Sequence, residues 1–303
     1  MSIFSDGKGK LKPVWAFLFA VILGALAFLV AGNIATEAAG DHPFRRELIF
    51  RALWAVLLLG IFIWLLTVGD HIEEHRIAAQ GLPRVKGWLK QFVIGIVMGF
   101  VLPAIAVVPI YMWGHFRYKI LMTWQLVPNL VAVILTLLVG ALAEELMFRG
   151  FPFQHLEKGI GTVQASVLLS IFYAFLHVLN PGATAWGIAN TFLIGILLTV
   201  AYLRTRALWL PWGIHFGWNA TLGILFGLPV SGIRSFNLWI YTQPYGPKWL
   251  TGDLYGVEGA ATGTVAILIG ILLVSTLPAT KLPQPLTQAP AEPAVERLSS
   301  IKS

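Results

Sequence analysis

Uncharged apolar runs long enough to cross a bilayer recur along this chain, and nothing else limits its fold as strongly. About 20 apolar residues in a helix cross ~30 Å of hydrocarbon. In lipid every backbone N–H and C=O must be paired within the structure, so a run of this kind is committed to a helix. Eight such runs are read, at about 14–32, 51–69, 91–113, 127–148, 161–179, 184–203, 207–227 and 261–278. The third contains Pro103 and Pro109, which predict a kink. It also contains Gly95-x-x-x-Gly99, a spacing that lets another helix approach closely. The chain has 303 residues, 57% of them hydrophobic and 12% charged, a composition suited to lipid as solvent. The fold class is therefore all-α, a polytopic transmembrane helical bundle of about eight spans. Residues 1–280 form one integral-membrane domain, and 281–303 a Pro/Ala-rich tail with no apolar period, expected to be disordered.

The net charge of +7 reads as a positive-inside bias rather than a nucleic-acid footprint. Eight spans put both termini on one side. The set on that side is Lys8, Lys10, Lys12, Arg76, Arg84, Lys86, Lys90, Arg149, Lys158, Arg204, Arg206, Lys281, Arg297 and Lys302. The opposite set is Arg45, Arg46, Arg51, Arg117, Lys119, Arg234 and Lys248. Fourteen against seven predicts cytoplasmic termini, in an integral protein of a bacterial cell membrane. Lys8, Lys10 and Lys12 precede the first apolar run as in a signal peptide, but the run is long and is read as a retained helix. There is no cysteine, so disulfides, thiolate metal sites and a cysteine nucleophile are excluded. Residues 70–90 suit an amphipathic piece on the membrane surface, with Leu82 and Trp88 on its apolar side. The long stretch 228–260, rich in aromatics, Gly and Pro, should cap the side opposite the termini.

Ionisable groups inside lipid-soluble runs are costly, by about 2.5–3.5 kcal/mol each near the bilayer centre, and mark function by default. They gather in three places. The first is Glu144-Glu145 with Arg149, at the end of the fourth run. Glu145 and Arg149 are four apart and share a helix face, whereas Glu144 points about 100° away. One carboxylate thus has a local cation and the other is available for chemistry. The second place is His177, with Asn180 three residues on. The third is His215-x-x-x-Asn219, one helix face framed by Gly213 and Gly217. Taken singly, each of these has a structural reading as a boundary salt bridge or an interhelical hydrogen bond. Together they supply a hydrolytic site. A carboxylate can deprotonate water, imidazole can shuttle protons, and His plus Asn can stabilise an oxyanion. Asn190 is read as an interhelical hydrogen bond. Asp253 and Glu258, in the Gly-rich segment Gly252–Gly259, are read as parts of a tight turn before the last helix.

These motifs, Glu144-Glu145-x-x-x-Arg149, then Tyr173-x-x-x-His177, then His215-x-x-x-Asn219, resemble the CPBP family. Its members are the type II CAAX prenyl endopeptidases and bacteriocin-processing proteins, also called the Abi family. The resemblance covers residues 127–260, including the Gly-rich segment before the last run. It implies an intramembrane endopeptidase whose site opens to the cytoplasmic side. It implies Glu144 as the base that activates water, with His177 assisting, and His215 and Asn219 holding the oxyanion. Glu145 and Arg149 would fix the fourth helix. The family's usual Phe before the first His is Tyr173 here, whose hydroxyl adds a donor.

The expected substrate is a membrane-associated peptide or protein, prenylated or CAAX-like, with the lipid bilayer as the other partner and no nucleic acid. No cofactor is predicted. A zinc-dependent version, with His177, His215 and Glu144 as ligands, is the enzyme alternative, although no His-Glu-x-x-His occurs. A scaffold or immunity protein is the non-enzyme alternative. One geometric demand follows. Glu144 lies about 21 Å along the fourth helix from Leu130, and His177 about 24 Å along the fifth from Gly161 in the opposite sense. For the two to meet, residues 150–160 must already lie inside the protein, as irregular backbone lining a wet cavity.

Overall fold

The computed structural model describes residues 13–68, 81–83 and 86–279. Helices α1 (Pro13–Ala39), α2 (Pro43–Val68) and α3 (Trp88–Met112) lead to strand β1 (Phe116–Ile120). Helices α4 (Val127–Arg149), α5 (Phe151–Ile160), α6 (Thr162–Leu176), α7 (Ala185–Thr205) and α8 (Trp209–Ala220) follow. Strand β2 (Ile240–Pro244) and helix α9 (Ala261–Thr276) complete the described chain. The apolar runs became helices because only a helix pairs its own backbone along such a run. Four helical stretches are long and apolar enough to cross a membrane: Phe17–Ala39, Trp88–Met112, Trp124–Ile160 and Ala185–Thr205. Leu48–Ile61, Thr162–Leu176 and Ala261–Thr276 are apolar but shorter. The outward faces of the long and short helices alike carry exposed apolar residues, among them Leu26, Val97 and Leu272, as expected of surface that meets lipid. The amphipathic reading of 70–90 falls largely outside the described residues, as does the disordered tail. Where described, Leu82 and Trp88 pack inward, Leu82 on the core and Trp88 with its ring 4.5 Å from that of Trp209.

Contacts between connections define two ends of the bundle. At the cap end, β1 pairs antiparallel with β2, from Phe116 opposite Pro244 to Ile120 opposite Ile240. This small sheet departs from an all-helical reading. Its strands are short and sit in polar connections, where no apolar period announces them. The rest of 228–260 folds over the same end and buries Leu228, Val230, Phe236, Tyr255 and Val257. Gly252 (φ +74) and Gly256 (φ +88) make the expected tight turns before α9. At the base end, Arg206 pairs with Glu157 at 2.8 Å, and the Leu208 N–H donates to the Gly81 carbonyl at 2.6 Å.

The tightest packing joins α3 to α8. A Cβ on Gly95 would lie 2.4 Å from the Leu210 carbonyl, and one on Gly99 2.4 Å from that of Ile214. From the other side, a Cβ on Gly213 would lie 2.3 Å from the Phe92 carbonyl, and one on Gly217 2.7 Å from that of Ile96. The two Gly-x-x-x-Gly patterns therefore face each other and bring the backbones into contact. That contact sets the depth and rotation of α8, which carries His215 and Asn219. Helix α3 continues through Pro103 and Pro109 as one element.

Candidate active site

Helix α4 runs from the cap end inward and stops at Arg149. Gly150 (φ −81, ψ −133) breaks it, and α5 continues for ten residues. This corrects the expectation of irregular backbone over 150–160. The segment is an amphipathic helix that buries Pro152, Phe153 and Leu156. It carries the chain to the base end, where Glu157 accepts from the Thr162 hydroxyl at 2.7 Å as well as from Arg206. Glu144 therefore lies short of that end. Helix α6 returns over fifteen residues, about 22 Å. It ends at Leu176, so His177 is not helical but caps the helix, its N–H donating to the Ala174 carbonyl at 3.0 Å. A break in one helix and the end of another bring Glu144 and His177 to one cavity.

That cavity is lined by Glu144, Tyr173, His177, His215 and Asn219, together with Arg51, Asn180, Trp218, Ser231 and Glu258. It encloses about 60 Å³, room for water between the polar groups. Glu145 is not among the lining residues and is fully buried, at 0% exposure. Its Oε1 accepts from Arg149 Nη1 at 3.2 Å and from His215 Nδ1 at 2.8 Å. Arg149, buried to 1% exposure, also donates to the Gly195 carbonyl at 3.0 Å and the Thr199 hydroxyl at 3.4 Å. One guanidinium thus joins α4 to α7. Its burial removes Arg149 from the set of loop charges counted for topology, since a cation paired in the core does not act at the membrane surface. The Tyr173 ring lies 5.2 Å from that guanidinium, 4.7 Å from the His177 ring and 6.4 Å from the His215 ring.

The imidazoles are oriented by their partners. A carbonyl only accepts, so His177 Nδ1, 2.7 Å from the Tyr173 carbonyl, carries a proton, and Nε2 is left for other partners. His215 Nδ1 donates to Glu145, and its Nε2 lies 3.7 Å from Glu144 Oε2. Glu144 therefore sits beside the one His215 nitrogen that Glu145 does not hold.

Residues 126–221 match the model of a family described as Type II CAAX prenyl endopeptidase Rce1-like. Over this stretch, about a third of its length, the chain is similar to the CPBP-type intramembrane endopeptidases. The matched stretch holds Glu144, Glu145, Arg149, Tyr173, His177, His215 and Asn219, the whole set singled out from the sequence. No curated protein matches the chain, and no solved structure does.

Two walls of the cavity lie outside the match. Arg51 and Trp54 of α2 form one wall. Ser231 and Glu258 form another, and Glu258 is buried to 2% exposure with Trp218 Nε1 donating to it at 3.0 Å. Burial pushes the Glu258 carboxyl up, against the pull of the Ser231 and Trp218 donors. The turn reading of Glu258 missed this placement. The available signal was an acid abutting a membrane helix in a segment otherwise made of Gly and apolar residues. Asp253, by contrast, is a surface partner of Lys248 at 2.9 Å. Asn190 makes the expected interhelical bond, its Oδ1 accepting from the Thr264 hydroxyl of α9 at 2.8 Å, and it also donates to the Glu258 carbonyl at 2.8 Å and the Ala260 carbonyl at 3.0 Å. As to zinc, no three His, Asp or Glu side chains among the described residues converge to hold an ion. His215 directs Nδ1 at Glu145, and the proposed set of His177, His215 and Glu144 does not gather at one point.

Proposed function

We propose that this cavity hydrolyses a peptide bond of a membrane-associated substrate, prenylated or CAAX-like, through water activated by Glu144. The observation that carries the reading is the convergence of Glu144, His177, His215 and Asn219 on one cavity, with Glu145 held behind His215. Glu144 removes a proton from water, and the oxygen attacks the scissile carbonyl carbon. The carbonyl oxygen becomes an oxyanion, which Asn219 Nδ2 and His215 Nε2 stabilise by donation. Because His215 Nδ1–H points at Glu145, Nε2 donates only in the imidazolium form, whose charge the two carboxylates balance. His177, oriented by the Tyr173 carbonyl, assists the movement of the proton to the leaving nitrogen. The C–N bond then breaks, giving an acid and an amine. The test is cleavage of a fluorogenic membrane peptide, in prenylated and unprenylated forms, by purified protein in nanodiscs. Wild type should cleave and Glu144→Gln should not. Turnover by Glu144→Gln would remove Glu144 as the base, and a wild type inert on membrane peptides would favour a scaffold.

A further inference from the structure

We infer that Glu258 is a positioning residue: with Ser231 it forms a clamp that holds the end of α6, carrying His177, at a set distance from the end of α8, carrying His215 and Asn219. The inference rests on the peptidase reading of the cavity and adds to it a group outside the motifs. The clamp is a continuous set of hydrogen bonds. The Asn180 N–H donates to the His177 carbonyl at 3.1 Å, and Asn180 Nδ2 donates to the Ser231 carbonyl at 2.9 Å. The Ser231 hydroxyl donates to Glu258 Oε2 at 3.0 Å, and so does the Ser231 backbone N–H. Trp218 Nε1 donates to Glu258 Oε1 at 3.0 Å. Trp218 precedes Asn219 and lies three residues beyond His215, on the last turns of α8.

The shape of the turn supports a specific purpose. Ser231 holds φ +46, a left-handed conformation that residues with a side chain seldom adopt. Gly232, at φ +86, packs so closely that a Cβ would lie 2.0 Å from the Pro181 carbonyl, and its N–H donates to the Tyr255 carbonyl at 3.0 Å. Residues 230–233 are thus wedged between the α6–α7 connection and the segment leading to α9. Glu258 is itself a fixed post. Asn190 of α7 bonds its carbonyl, and Asn190 Oδ1 accepts from the Thr264 hydroxyl of α9 at 2.8 Å. A carboxylate offers two acceptor oxygens, and Glu258 uses one for Trp218 and the other for Ser231.

The deciding experiment compares wild type, Glu258→Ala and Glu258→Gln in nanodiscs by kcat, KM and amide hydrogen exchange over 228–236. Glu258→Ala should lower kcat by about 10²-fold, as a misplacement of reacting groups by about 1 Å does, with KM little changed. Exchange over 230–233 should quicken. Glu258→Gln keeps one strong acceptor and should fall between, and it decides the question if Glu258→Ala does not fold. Trp218→Phe should cost no further kcat in the Glu258→Ala background, because both act through one link. A folded variant with full kcat, or with unchanged exchange at 230–233, would overturn the clamp. If wild type cleaves no peptide, the peptidase reading fails, and the exchange comparison alone decides whether the clamp exists.

Discussion

Glu145 Oε1 accepts from both His215 Nδ1, at 2.8 Å, and Arg149 Nη1, at 3.2 Å. One buried oxygen therefore ties the helix with the acidic pair to the helix that carries His215 and Asn219. This adds a task for Glu145 to its pairing with Arg149. It holds the ring of His215 with Nε2 directed toward Glu144. The relation of a buried carboxylate behind an imidazole is that of an orienting group in hydrolases at large.

The adjacent carboxylates should separate by their readouts. Glu144→Gln is expected to abolish turnover with little change in thermal stability in detergent. Glu145→Ala should lose turnover and also lose about 3–5 kcal/mol of stability, because Arg149 is left buried without its acid. Equal melting temperatures for the two variants would contradict this division.

Helix α8 should depend on the glycine contact behind it. Gly99→Ala places a Cβ against the Ile214 carbonyl, where only 2.4 Å is available. The backbone must move, at a cost of about 1–3 kcal/mol, and His215 and Asn219 move with it. Gly60, where a Cβ would meet nothing within 4 Å, is the control. Gly60→Ala should be neutral or stabilising by about 0.5–1 kcal/mol. Thermal melts and kcat for the two variants check the contrast.

Asn219→Ala should cost about 10²–10³ in kcat with KM little changed if its amide donates to the oxyanion. The same preparation allows the zinc alternative to be tested by metal content and by activity after exhaustive chelation. Activity that survives chelation is expected. Stoichiometric zinc, with activity lost on removal and restored on return, would move His177 and His215 to the role of ligands.

The fold sets two topological expectations from the sequence against each other. The charge bias puts the termini in the cytoplasm, and α1 and α9 bring both toward the base end. The cavity's lining instead reaches the cap end through Asn180, Ser231 and Phe236. A site opening to the cytoplasm and cytoplasmic termini therefore cannot both hold if substrate enters past those residues. The bias of the loop charges favours cytoplasmic termini. The chain has no cysteine, so single cysteines report cleanly. Tyr245→Cys at the cap end should react with an impermeant thiol reagent in intact cells, and Lys86→Cys at the base end should react only after lysis. The reverse pattern would turn the cavity to the cytoplasm.

What the sequence determined by itself was whatever depends on neighbours along one helix. Apolar runs imply helices because lipid offers the backbone no other partner. The four-residue spacings from Glu145 to Arg149 and from His215 to Asn219 imply shared faces because 3.6 residues make a turn. Gly95, Gly99, Gly213 and Gly217 were legible as close-contact sites, but not as each other's partners. Only the tertiary structure decided the rest. Glu145 meets His215 across 70 residues, and Ser231 meets Glu258 across 27. Such contacts depend on the depth and rotation of each helix, and hydropathy is silent about both. The break at Gly150 and the end of α6 at Leu176 set those depths for Glu144 and His177. The β1–β2 pair and the turn at 230–233 set them for the cap. A periodic pattern says which face of a helix is buried, while which residue it is buried against is decided by the packing of all the others.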